Sequence, residues 1–201
     1  MSASSETEAA VDYKLVIMRV GNKNGNFKNT VLDPVNELNT SITPMWGYNK
    51  EKFCGFRKFS LKQHNIFMNN TNDILILFKP SRNDSSGSLI GLAKVKNVRE
   101  RPADELIPIS ITDEELGWTG GTSDNKWNTL FDIAEYWDLT MFKDIVFSDD
   151  RIDDYGTKLA QQTAHPISST GTRSRLHAYL SQHVKYIVKN IKPIYVENIR
   201  E

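Results

Sequence analysis

The sequence predicts an α+β fold in which strands around a barrel-like hairpin precede one amphipathic helix near the C-terminus. Two apolar runs, 74–79 and 89–95, flank a polar loop at 80–87, the pattern of two paired strands. Apolar residues then recur at steps of three and four from Leu176 to Ile191, which is the period of an amphipathic helix. A chain of 201 residues is long enough to bury a core around these elements.

The N-terminal elements follow from composition. Residues 1–11 are small, polar and acidic, which predicts a disordered tail. Residues 13–20 alternate and are rich in β-branched side chains, so they predict a strand, and the Gly- and Asn-rich residues 21–26 predict a turn. Residues 53–69 mix aromatic and basic side chains and predict a short helix followed by a turn.

The central elements are less regular. Gly91 lies inside the second apolar run, where glycine permits a close backbone approach or a bulge. Residues 126–137 predict a long strand, although their imperfect alternation leaves a helix possible, and Trp137 is predicted to lie in the core. Residues 139–146 predict a short helix.

The chain divides into a domain at 12–148, a linker or loop at 149–172, and a C-terminal helix with a short strand at 173–201 that pack on the domain. The segment 156–172 is rich in Ser, Thr and Gly, which is typical of linkers. Thr172 or Ser174 is predicted to cap the helix, and Pro193 to end it. Residues 194–196 predict a final strand.

Charge is neutral overall, with 25 basic and 25 acidic residues, but it is segregated along the chain. Residues 50–101 hold 11 Lys or Arg against 4 Asp or Glu, and residues 102–160 hold 4 against 14. Residues 173–201 hold 6 against 2. Nucleic-acid binding needs a local basic face rather than a basic protein. The alternative is that the blocks pair within the fold or across a dimer.

Catalytic, metal and cofactor signatures are not found. Cys54 with His64 has no orienting third group, so a buried structural cysteine is the better interpretation. The four histidines are not at metal-ligand spacing, and Asp149, Asp150, Asp153 and Asp154 lack the spacing of a calcium loop. We therefore expect a protein that is not an enzyme and that holds no metal or cofactor.

Neither a signal-peptide pattern nor a run of roughly 18 apolar residues is present. The expectation is an intracellular protein, cytoplasmic or nuclear, with no membrane partner.

Aromatic residues with polar or glycine neighbours in the sequence suggest a ligand pocket. Trp46, Trp118 and Trp127 each lie beside glycine or lysine, and a flat ring in such a loop can stack on a base. Asn49, Ser81 and Asn128 are candidates for hydrogen bonds to the edge of that base. The alternative for each ring is that it covers the open end of a small barrel.

These residues together resemble the EVE/YTH branch of the PUA-like domains over roughly residues 13–145. The resemblance rests on the segment from Trp46 to Asn49, a basic stretch, the strand 74–78, the polar turn at Ser81, and the run Leu89-Ile-Gly-Leu-Ala-Lys-Val95. Lys126-Trp127 resembles the later Trp-led strand of those domains. This chain departs from the pattern at Asn72-Asp73, at 79–81, and in its long acidic insertion at 102–124.

The resemblance implies a small mixed β-barrel with flanking helices, and a reader of a modified base in RNA or DNA held in an aromatic cage. The expected base-binding residues are Trp46, Tyr48, Asn49, Ser81, Trp118, Trp127 and Asn128. The expected phosphate-binding residues, which position rather than specify, are Arg57, Lys58, Lys79, Arg82 and Lys94.

The competing hypothesis is a structural or interaction protein. It would self-associate as a homo-oligomer, or bind a protein partner, through its charge blocks and its C-terminal helix.

Overall fold

A computed structural model describes residues 13–20, 31–32, 44–48, 64–65, 67–69, 74–80, 89–101, 129–142 and 164–196. In chain order the strands are β1 (Lys14–Val20), β2 (Met45–Tyr48), β3 (Ile74–Pro80), β4 (Gly91–Glu100), β5 (Thr129–Asp138), β6 (Ala164–Ile167) and β7 (Tyr195–Val196). The helix α1 (Ser174–Asn190) follows a 3₁₀ turn at Gly171–Arg173 and precedes β7. Residues 64–65 and 67–69 are also helical.

The strands form one mixed sheet in the order β2-β5-β4-β3-β1-β6, with β7 pairing the remaining length of β5. The pair β1–β3 is parallel, and the other pairs are antiparallel. The strands predicted at 13–20, 74–79, 89–95, 126–137 and 194–196 are therefore confirmed in outline. Among the described strands, β2 and β6 stand at opposite edges of an open sheet, so the barrel remains a prediction.

Both faces of the sheet are covered, which explains the nearly continuous apolar runs of β1 and β3. On β1, Leu15 and Ile17 face one core, and Val16 and Met18 face the other. The first core also holds Trp137, which confirms its predicted burial. The second core holds aromatic side chains from four different segments, Trp46, Phe67, Phe78 and Tyr136.

Helix α1 closes the first core with the stripe predicted from the sequence. Leu176, Leu180, Val184 and Ile187 are all buried against the sheet. Burial of each such side chain is worth about 2 kcal/mol, so the helix is an integral part of the fold. The Nε1 atom of Trp137 also donates a hydrogen bond to the carbonyl oxygen of Ile191 at 2.8 Å, which ties the end of α1 to β5.

Two bulges explain the imperfect alternation of β5. Lys94 pairs with Glu135, but Val95 pairs with Ile133, so Ala134 is an extra residue on β5. Lys96 is then an extra residue on β4, because Asn97 pairs with Asp132. Each bulge reverses the facing of its strand, and together they keep both strands in register. The helix considered for this segment is not formed.

Gly91 allows the close approach that its position predicts. A Cβ atom on this residue would lie 2.6 Å from Cε2 and 2.8 Å from Cζ of Tyr136 on the neighbouring strand. No side chain fits between the two strands at this point, so the ring of Tyr136 lies directly over the backbone of Gly91.

Three expectations differ from the structure. Residues 164–167 were expected to belong to a linker, but they form β6, because their backbone groups pair with β1. The N-cap of α1 is Arg173 rather than Thr172 or Ser174, and no side chain caps the helix. Residues 139–142 form a turn rather than the start of a helix. The predictions for 1–11, 21–26, 81–87 and 143–163 lie outside the described residues.

Candidate nucleic-acid interface

A three-stranded arm extends beyond the rest of the sheet. Its strands are β2 (Met45–Tyr48), residues 95–100 of β4 and residues 129–133 of β5. Strand β3 ends its pairing with β4 at Lys94, so these residues project past the start of β3. Helical residues 64–69, as far as they are described, pack on the arm through Phe67, whose ring lies 5.7 Å from that of Phe131.

The tip of the arm is formed by the last residue of β2, the last of β4 and the first of β5. Thr129 pairs with Tyr48 on one side and with Glu100 on the other. In the sequence, Asn49 follows Tyr48, and Trp127 and Asn128 precede Thr129. Of these four expected base-binding residues, the structure describes the backbone of Tyr48 at the tip, and the other three are neighbours of the tip in sequence.

Trp46 lies inside the arm rather than at its tip. It pairs with Phe131, and its ring makes an edge-on contact with Phe78 at 5.6 Å between centroids. The residue is 6 % exposed and belongs to the second core. In this structure Trp46 packs in the second core, and base binding by Trp46 stays a prediction.

Lys79 belongs to the opposite end of the sheet from the tip of the arm. Strand β3 ends at Pro80, level with Val20. The ten-residue strand β4 separates this end from the tip of the arm by about 30 Å. Lys79 is 4 % exposed. The structure does not bring Lys79 together with Tyr48, and Ser81 and Arg82 lie outside the described residues.

The cations of β4 face carboxylates of β5. Nζ of Lys94 lies 3.1 Å from Oε1 of Glu135, and Nε of Arg99 lies 3.2 Å from Oδ2 of Asp132. The amide of Asn97 donates to the same Asp132 at 3.4 Å. Part of the basic block is thus compensated by the acidic block within the fold, which was one of the two interpretations of the charge pattern.

An open cavity of about 620 Å³ lies at the end of the sheet from which the arm projects, because Lys14 in its lining pairs with Ile74 at the start of β3. It is lined by the start of β1, the end of β6 and the turn that leads into α1, that is by residues 13–15, 166–173 and His177, together with Phe67. Phe67 belongs to both features, because it lines the cavity and packs on Phe131 of the arm. The ring of Phe67 therefore lies between the cavity and the arm.

The sequence did not predict this cavity, because residues 168–172 were assigned to a linker and residue 173 to the helical segment. A signal was present in the run Ser168-Ser-Thr-Gly-Thr-Arg173, which places four hydroxyl groups, a glycine and a cation immediately before a helix. Hydroxyl and backbone donors at such a junction can bind anions as well as form a flexible connection.

The described part of the chain contains neither a candidate metal site nor a candidate membrane-spanning helix. Its His, Cys, Asp and Glu side chains form no group of three or more that could hold a metal ion. Nε2 of buried His64 lies 3.4 Å from Oε1 of Glu100. No described helix has both the length and the apolar composition to cross a membrane. The predicted residues that lie outside the described part of the chain also include Asn49, Cys54, Arg57, Lys58, Trp118, Trp127 and Asn128.

Comparisons with known proteins identify no family. No family model matches the chain, and no curated protein matches it. Among solved structures, the chain is similar to the N-terminal domain of Thermococcus gammatolerans McrB bound to m5C DNA. The TM-score is 0.47 and the sequence identity 13%, over 85% of this chain and 99% of that chain. At these values the likeness carries no argument, so function is argued from the residues of this chain.

Proposed function

We propose that this chain is a non-enzymatic nucleic-acid-binding protein that holds a base at the tip of the arm. The observation that carries the proposal is the pairing of Thr129 with Tyr48, because it joins the segments of four expected base-binding residues.

The residue types at the tip suit a nucleobase. An aromatic ring that stacks on a base contributes about 1–3 kcal/mol and accepts any base. An Asn side chain presents one acceptor and two donors, so it can read the polar edge of the base. In this proposal Trp127 and Tyr48 supply the rings, while Asn49 and Asn128 supply the hydrogen bonds.

The other expected base-binding residues take different places in the proposal. Trp46 supports the site from within the core, and it would contact a base only if one face of its ring were open. Trp118, from the acidic segment, is proposed as a third wall. Ser81 is the weakest candidate, because it follows Pro80 at the far end of the sheet.

Phosphate groups would be held by cations around the arm. Arg57, Lys58, Lys79, Arg82 and Lys94 remain the proposed residues, and Lys94 would have to share its charge with Glu135. Such contacts position the strand without specifying sequence. A modified base, in RNA or DNA and held in an aromatic cage, is the finer form of the proposal.

No observation favours the competing interaction-protein hypothesis. The apolar stripe of α1 packs on its own sheet, and the ion pairs of Lys94 and Arg99 lie within the chain. Among the described residues, the apolar stripe of α1 and the cations Lys94 and Arg99 therefore make these contacts within the chain.

Fluorescence anisotropy with labelled 12-mer oligonucleotides tests the proposal. One sequence would be prepared as DNA and as RNA, each with and without a single methylated base. We expect binding that weakens with salt and that Trp127→Ala weakens at least tenfold. Tyr186→Ala is the matched control, because Tyr186 is a 61 % exposed aromatic on α1. Equal affinities for the two variants, or no binding at low salt, would overturn the proposal.

A further inference from the structure

The cavity beside β1 and β6 differs from the arm in its charge. The described residues that line it include Lys14, Arg173 and His177 but no Asp or Glu. On the arm, by contrast, Lys94 and Arg99 both have carboxylate partners. Cations gathered in a concave site without carboxylates attract anions, because the surrounding low-dielectric walls focus their field.

We infer that this cavity binds the phosphate group of a nucleotide. The site lies outside the residues proposed to hold the base, and the choice of a nucleotide as the carrier of the phosphate rests on the proposed function. The phosphate assignment itself rests on the cavity.

The size of the cavity indicates a nucleotide rather than a single ion. At about 620 Å³ it lies within the range of roughly 300–1,000 Å³ that is typical of small-molecule sites. The ring of Tyr13 lines the same space and can contact a base or sugar attached to the phosphate.

The guanidinium of Arg173 is held in place. Its Nη1 atom donates a hydrogen bond to the carbonyl oxygen of Pro166 at 2.9 Å, which anchors the side chain across the turn. A guanidinium carries five N–H donors in a planar fork, so this anchor leaves others directed elsewhere. A fixed fork of donors suits phosphate oxygens better than a freely rotating cation does.

The turn between β6 and α1 places hydroxyl and backbone groups beside the cavity. Ser168 accepts a hydrogen bond from the backbone N–H of Thr170 at 3.1 Å, and their hydroxyl oxygens also lie 3.1 Å apart. Gly171 has a φ of 73°, and a Cβ atom placed on it would have no heavy atom within 4 Å. The backbone of the turn is therefore approachable from the cavity, with hydroxyl groups on either side.

The cavity lies near the base of the arm, so it suits a nucleotide several positions along the strand from the one held at the tip. Phe67 separates the cavity from Phe131, the residue that pairs with Trp46. Strands β1 and β5 are three places apart in the sheet, or about 14 Å at the usual strand spacing. A single strand could reach both sites.

Titration of the full chain, followed by amide NMR shifts, tests the inference. The probes are inorganic phosphate, AMP and adenosine, at an ionic strength held constant with sodium chloride. We expect phosphate and AMP, but not adenosine, to shift the amides of Gly171 and Thr172. The double variant Lys14→Gln/Arg173→Gln should weaken AMP binding at least tenfold. Arg175→Gln/Lys185→Gln is the control, because both residues are exposed on α1 outside the cavity lining and the pair removes the same two charges.

Each contrary result has a distinct meaning. Adenosine shifts equal to those of AMP, or equal AMP affinities for the double variant and the control, would overturn the phosphate assignment. Binding of inorganic phosphate without AMP would overturn the nucleotide assignment. If the Trp127→Ala variant still binds AMP but neither the unsubstituted protein nor any variant binds oligonucleotides, the proposed function fails while the cavity assignment stands. A thermal melt of each variant confirms that it is folded.

Discussion

Tyr48 pairs directly with Thr129, and this pairing closes the tip of an arm that extends beyond the main sheet. The pairing is antiparallel, so the chain leaves β2 and enters β5 at the same point. Two segments that are about eighty residues apart in sequence thereby meet, and each was singled out for aromatic and amide side chains.

Trp46→Ala should destabilise the protein. Trp46 is 6 % exposed and packs edge-on against Phe78, so its removal leaves a cavity in the second core. Replacement of a buried Trp by Ala costs about 3–5 kcal/mol in the free energy of unfolding. Urea denaturation measures this cost, and Tyr186→Ala should change it by less than about 0.5 kcal/mol. A loss below about 1 kcal/mol would show that Trp46 is not a packing residue.

Gly91→Ala should destabilise the sheet through Tyr136. The added methyl group would lie 2.6 Å from Cε2 of that ring, so the two strands must move apart. Overpacking of this kind typically costs about 1–3 kcal/mol. A double-mutant cycle with Tyr136→Leu, read by thermal denaturation, should give a coupling energy of the same order. Additive effects would show that the ring is not the obstacle.

Tyr195→Phe should leave stability unchanged or raise it by up to about 1 kcal/mol. The hydroxyl of Tyr195 is buried and, among the described residues, has no hydrogen-bond partner. A buried unsatisfied hydroxyl costs free energy that the phenylalanine does not. The ring stack with Tyr136, at 6.0 Å between centroids, is retained. A loss of more than 1 kcal/mol in urea denaturation would reveal a partner for the hydroxyl.

Stability should fall in alkaline solution above pH 10. Burial raises the pKa of Tyr136 and of Tyr195 well above the ordinary 10.0, and the nearby charge of Asp138 adds to the effect on Tyr136. The folded state therefore keeps both phenols protonated at a pH where the unfolded chain ionises them. Their contribution is complete below pH 10 and is lost as the pH rises further. Tyr195→Phe should show a shallower loss between pH 9 and pH 11, and an unchanged slope would contradict this explanation.

Local pattern predicted the elements of the fold better than it predicted the site. Gly91 and the stripe on α1 were identified because each depends on neighbours close in sequence. Strand β6 was missed because it is stabilised by pairing with β1, about 150 residues away, and its four residues include Pro166. The paired bulges at Lys96 and Ala134 could not be predicted from either strand alone, because the pairing of the two strands defines them.

The site depended on register, which local pattern does not encode. Tyr48, Asn49 and Asn128 were grouped with Ser81 because all had suitable side chains. The strand order separates Pro80, which precedes Ser81 in the sequence, from Tyr48 by about the length of β4. Trp46 was selected for its polar neighbours in sequence, but its neighbours in space are aromatic. The cavity lined by residues 168–173 was not predicted, because hydroxyl-rich segments are typical of both linkers and anion sites.

Hydrogen exchange of the full chain, with and without a 12-mer oligonucleotide at low salt, tests the central claim most directly. Bound oligonucleotide should protect the amides around Tyr48, Glu100 and Thr129 at the tip of the arm. The amides around Val20, Gly91 and Asp138, at the opposite end of the sheet, should exchange as before. Protection confined to that opposite end, or no protection anywhere in the described chain, would contradict the claim that the arm holds a nucleic acid.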